Sequence, residues 1–151
     1  AVADGANLAA RANMLAAAMI GAAAFRKGLG AMQTLSHPIG AIYDTPHGLT
    51  NAVLMPYVLM FNRATIGAKM ARLARLLDLP GHGVDAVLQW VIDLRRRIGI
   101  PNTLAEIGVD DRRIDEVCRK GAADGNAPTN PVPIGPAELA AIMRAALQGE
   151  L

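Results

Sequence analysis

Apolar residues recur at three- and four-residue spacing along most of this chain, and no window alternates apolar and polar residues with the β-branched enrichment of a strand. That pattern restricts the fold to packed helices. The expected architecture is all-α, one helical bundle over residues 1–151, with no internal repeats. Its core has to come from small and aliphatic side chains, because 52% of the residues are hydrophobic but only 3% are aromatic. Alanine at this density favours helix.

Breakers and caps divide the pattern. Asp4 or Asn7 can cap a first helix running to about Lys27 and ended by Gly28, with Leu8, Leu15, Ala18, Ala22 and Phe25 on one face. Its uncharged run, Ala12 to Phe25, is shorter than the roughly 20 apolar residues that cross a bilayer and lacks the basic start of a signal peptide. It is expected as a buried helix, with no membrane partner. A second helix is expected over about Ala31 to Tyr43, bent at Pro38. A third runs from about Pro46 to Arg63, with Pro46 in its first turn, Asp44 as a cap and a bend at Pro56. Ile66, Met70, Leu73, Leu76 and Leu77 then follow a helical period, with Arg72 and Arg75 outward.

After the loop Leu79 to Gly83, the face Val84, Val87, Leu88, Val91 and Ile98 marks a further helix, stopped by Gly99 and Pro101. Arg95, Arg96 and Arg97 are expected as its solvated end. Ile114, Val117 and Cys118 mark a short helix, and an extended proline-rich loop covers Asn126 to Pro136. A terminal helix places Leu139, Ile142, Met143 and Leu147 inward. The seven methionines are expected to fill gaps in the core.

Several classes of function are excluded. The net charge of +2 and scattered basic residues, without interleaved aromatics, argue against a nucleic-acid partner. The single Cys118 rules out an internal disulfide framework, reads as a buried inert thiol and fits a reducing cytoplasm. The opening Ala1-Val2-Ala3-Asp4 fits Met removal or the cut end of a longer protein.

Chemistry concentrates in His37-Pro38-Ile39-Gly40 and Tyr43-Asp44-Thr45-Pro46-His47-Gly48, which hold two of the three histidines. Neutral imidazole is the commonest metal ligand, and its proton state switches near neutrality. Gln33 and His37 lie four residues apart, on one helical face, and His47 starts the next helix where the chain turns back. Three donors converging there could ligate a divalent metal, although two imidazoles and an amide are fewer strong ligands than catalytic zinc or iron takes. The alternative is a buried, hydrogen-bonded His37 and a His47 bonded to nearby backbone. His82, between glycines, reads as a surface loop residue.

Gly28-Leu29-Gly30 through His37-Pro38-Ile39-Gly40, then Tyr43 to Gly48 and Asn51-Ala52-Val53-Leu54-Met55-Pro56, resemble the signature of the iron-containing (group III) alcohol dehydrogenases. Asn62, Ile100-Pro101 and Asn130-Pro131 extend the similarity, so that essentially the whole chain resembles the C-terminal helical domain of the dehydroquinate synthase-like fold. The resemblance implies an NAD(P)-dependent enzyme that interconverts alcohols and aldehydes. Fe2+ or Zn2+ in the helical domain polarises the substrate oxygen, and an N-terminal domain binds the nucleotide. His47 matches the last of the family's metal ligands, which are an Asp, a His and two later histidines. His37 matches a histidine lining the site near substrate and metal, a catalytic position outside the ligand set. Gln33 falls where the family has its third ligand. The Asp/His pair and the nucleotide-binding domain would lie upstream of residue 1. The expectations are a chain inactive alone, packed against that absent domain or self-associated, within an enzyme acting on a small alcohol or aldehyde. A metal-independent maleylacetate reductase and a non-catalytic helical interaction domain are the alternatives.

Overall fold

The computed structural model describes all residues, 1–151, and contains six α-helices and no strand. They are α1 (Leu8–Ala24), α2 (Gly30–Tyr43), α3 (His47–Leu76), α4 (Gly83–Arg97), α5 (Ile114–Ala122) and α6 (Pro136–Gln148), with short 3-10 turns at Phe25–Lys27, Ala105–Ile107 and Ala127–Thr129. The all-α expectation holds.

The main core lies where α2, α3, α5 and α6 meet, around Leu35, Ile39, Val53, Leu54, Val117, Leu139 and Met143. A smaller core joins the second half of α3 to α4 through Ala74, Ala86, Val87 and Val91. Cys118 is buried in the main core, and its desolvation pushes the thiol up to about 11, which makes it inert near neutrality.

Two close approaches fix α2. Its N-terminus has no cap of its own; the Thr129 hydroxyl accepts from the Gly30 N–H at 3.1 Å and the Asn130 side-chain oxygen accepts from the Ala31 N–H at 3.0 Å. The proline-rich loop therefore satisfies helix-start donors from 99 residues away. Pro38 sits inside α2 and has no N–H to offer Thr34 four residues earlier. At that carbonyl α5 comes close enough that a Cβ on Gly121 would lie 2.9 Å from the Thr34 oxygen.

Several expectations are corrected. The first helix is not buried: none of the residues of α1 is, and Leu15 is 73% and Met19 70% exposed. Two of the seven methionines, Met14 and Met19, therefore lie outside the core. With its 3-10 extension the segment Leu8–Lys27 reaches 20 residues, long and apolar enough to cross a membrane by length and composition alone. Residues 47–76 form one helix and not two, since nothing between Arg63 and Ile66 breaks it and Pro56 is accommodated inside. Leu76, Leu77 and Ile98 face solvent, because both helices end there. Arg95 is the reverse case. It is buried, and its guanidinium donates to the Pro101 carbonyl that follows α4.

Candidate active site

The turn between α2 and α3 brings the two histidines together. Asp44 takes the left-handed conformation (φ 54°) and ends α2 through its own N–H to the Gly40 carbonyl. Pro46 precedes the first residue of α3, which is His47, and the expected Asp44 cap is not formed. The buried Thr50 hydroxyl donates to Thr45 at 2.7 Å and lies 3.2 Å from the Pro46 carbonyl, which ties the turn to the first turn of α3. Across this reversal the rings of His37 and His47 stack, with centroids 5.4 Å apart and planes inclined by 17°.

Each ring is held by one further residue. His37 Nδ1 lies 2.7 Å from Asp124 Oδ2. A carboxylate only accepts, so Nδ1 carries the proton and Nε2 of the neutral ring bears the lone pair. Burial raises the Asp124 carboxyl, but the His37 N–H and the backbone and side-chain N–H groups of Asn126 outweigh it and hold the group below the usual carboxylate range. His47 Nε2 accepts from the Asn51 amide at 3.0 Å, one helical turn on. The Asn51 side-chain oxygen Oδ1 is buried with no partner, a state that costs about 1–3 kcal/mol. Both histidines are solvent-exposed, which removes the reading of His37 as a buried core histidine.

Gln33 is separate in its bonding. Its side chain is buried, and its amide oxygen accepts from the Ser36 hydroxyl at 3.5 Å within its own helix. His82 is exposed in its loop before α4, as expected.

Asp124 is the site residue that sequence reasoning did not find. It lies 87 residues from His37, in the Asp124-Gly125-Asn126 turn after α5, and no local spacing links the two. The Asn62–Asn130 pair is the other long-range device: each amide donates to the other's oxygen, at 3.1 and 2.8 Å, bracing α3 against the loop that caps α2.

The donor set does not fit a metal centre. No cluster of three or more His, Cys, Asp or Glu exists in the chain. His47 already uses Nε2 and Gln33 offers a neutral amide turned to Ser36, so a cation would find at most the imidazole of His47, and that only by displacing Asn51. The arrangement can instead orient imidazoles, with one lone pair on His37 available to an incoming hydroxyl.

Comparison with known proteins identifies the family. The profile described as Fe-containing alcohol dehydrogenase family, C-terminal, matches residues 1–147. The chain is 40% identical to a 4-hydroxybutyrate dehydrogenase of Cupriavidus necator over 137 residues, covering 85% of this chain and 35% of that one. It is 36% identical to a 1,3-propanediol dehydrogenase of Klebsiella pneumoniae over 157 aligned positions, covering 97% of this chain and 40% of that one. Among solved structures, an alcohol dehydrogenase from Oenococcus oeni superposes with a TM-score of 0.87 at 31% identity, covering 96% of this chain and 40% of that one. The chain thus spans well under half the length of the relatives it matches. It belongs to the iron-containing alcohol dehydrogenase family, as the family's C-terminal helical part.

Proposed function

We propose that this chain is the helical part of an NAD(P)-linked oxidoreductase that interconverts a small alcohol and its aldehyde in the cytoplasm. The observation that carries the reading is the stacked His37–His47 pair with Asp124 fixing the His37 tautomer. In this reading His37 orients the substrate hydroxyl and relays its proton, while His47 stacks beside it. The family's activity supports it. Hydride has to come from a nicotinamide held elsewhere, on an N-terminal domain, because no side chain in these 151 residues can accept or donate one. The chain alone is accordingly inactive. The two named relatives are dehydrogenases of 4-hydroxybutyrate and 1,3-propanediol, which supports a short primary alcohol as substrate.

Gln33 favours a second reading, a metal-independent reductase of the maleylacetate type, since an amide there removes a strong ligand. One assay separates the two. The longest natural polypeptide containing this chain is given 1,3-propanediol, 4-hydroxybutyrate and maleylacetate in turn, with NAD(H) or NADP(H). Oxidation of either alcohol supports the first reading. Chelator-insensitive reduction of maleylacetate alone supports the second, and turnover of none of them refutes both.

A further inference from the structure

A hydroxyl group asks two things of a binding site: an acceptor for its hydrogen and a donor for its oxygen. The stacked histidines supply only the first. His37 Nδ1 is turned to Asp124, so its Nε2 offers a lone pair, while His47 Nε2 accepts from Asn51. Two amides near the rings are already committed, Asn51 to His47 and Asn126 to Asp124. The donor has to come from elsewhere, and α2 carries one a single turn before His37.

That donor is Gln33. The residue is only 8% exposed, yet its side chain is barely engaged. Its Oε1 lies 3.5 Å from the Ser36 hydroxyl, whose nearer acceptor is the Gln33 backbone carbonyl at 3.3 Å. Its Nε2 donates to no group in the chain and is not sealed from solvent. Gln33 and His37 stand four residues apart on one helical face, where Cβ atoms lie about 5–6 Å from each other. An amide this buried with unused donors points to a partner that the chain does not contain. An N–H has no lone pair to give a cation, but it can donate to an oxygen.

We propose that Gln33 is a catalytic hydrogen-bond donor: its Nε2–H donates to the substrate oxygen whose proton His37 Nε2 accepts. The inference rests on the alcohol–aldehyde reaction proposed above. In oxidation the hydroxyl proton passes to His37 Nε2, the carbinol carbon gives hydride to an oxidised nicotinamide, and the C=O bond forms. Gln33 gains and loses no proton; it steadies the oxygen while charge builds there. In the reverse direction the same N–H polarises the aldehyde carbonyl.

The test uses the longest natural polypeptide carrying this chain, with 1,3-propanediol or 4-hydroxybutyrate as substrate. Gln33→Met keeps the length of the side chain and removes its N–H groups, and Gln33→Glu keeps its shape and places only acceptors there. Each should lower kcat by roughly 100-fold, the loss expected for one missing oxyanion donor, with the Kd for NAD(P)H unchanged. A Gln33→Met enzyme that turns over like the unsubstituted one overturns the proposal. So does activity that a chelator abolishes and ferrous or zinc ion restores, because a metal then polarises the oxygen. A second measurement reads the contact without turnover. The Gln33 side-chain N–H signals, identified by their loss in Gln33→Met, are followed by NMR as trifluoroethanol is added with NAD(P)+. One of them should move downfield, and signals that stay in place overturn the proposal. A polypeptide inactive toward both alcohols refutes the reaction proposed above, and the N–H signals then decide alone: a shift upholds Gln33 as the hydroxyl's donor, and its absence overturns it.

Discussion

Asn130 is the residue on which the position of α2 depends most. Its side-chain oxygen accepts from the Ala31 N–H and from Asn62, and its amide donates to Asn62 and to the Val132 carbonyl. Truncation leaves a helix-start donor and a buried amide unpaired. Asn130→Ala is expected to cost about 3 kcal/mol in urea unfolding; a loss below about 1 kcal/mol would mean that water replaces these bonds. Gln33 belongs to the same scale. Isothermal titration of zinc or ferrous ion into the chain should show no stoichiometric site, and Gln33→His alone should not create one, because His47 remains the only other family ligand. One-to-one sub-micromolar binding that vanishes in His47→Ala contradicts this. His37, His47 and Gln33 were legible in the sequence because they lie within one helix and the turn after it. Asp124 was not, because only the packing of α5 on α2 brings it to His37.

Among the elements, α2 and α5 show how a helix breaker can be used in packing. Pro38 leaves the Thr34 carbonyl without its usual helical donor, and Gly121 lets α5 settle against it. A methyl at Gly121 meets that oxygen at 2.9 Å and Leu139 at 3.2 Å, so Gly121→Ala should destabilise by about 1–3 kcal/mol despite alanine's better helix propensity. Denaturant midpoints measure it, and a stabilised variant would refute the close contact. The turn before Ala105 supplies a pH test. The Glu106 carboxylate accepts from the Thr103 and Asn102 N–H groups at 2.9 and 2.6 Å, which holds it below its ordinary 4.5. A depressed carboxylate contributes stability that is complete above that ordinary value and is lost as pH falls through the folded one. Melting temperature should therefore fall with pH below about 4.5, and less steeply in Glu106→Gln. Equal slopes would show that Glu106 is not ionised against these donors. Caps and stops were readable at this scale: Asn7, Gly28 and Gly99 stand where the helices begin and end. The continuity of α3 was not, since the reading ended a helix at about Arg63 with a bend at Pro56, whereas one helix runs on to Leu76 with Pro56 buried inside it.

For the molecule as a whole, helical period correctly gave a fold without strands, and composition correctly gave an aliphatic core. The same reasoning failed for α1. Apolar periodicity was read as a sign of burial, but α1 buries no residue against the rest of the chain. Arg95 failed in the opposite sense, because a helix-end arginine reads as solvated until a carbonyl such as that of Pro101 is folded against it. The central claim is that the His37–His47 pair is the working surface of an alcohol-oxidising enzyme. Its most direct test is the kcat of NAD(P)-linked alcohol oxidation by the longest natural polypeptide carrying this chain, compared with His37→Ala and with Arg72→Ala, an exposed control on α3. The account predicts a loss of roughly 100-fold for His37→Ala and none for Arg72→Ala; a His37→Ala enzyme that turns over like the unsubstituted one would contradict it.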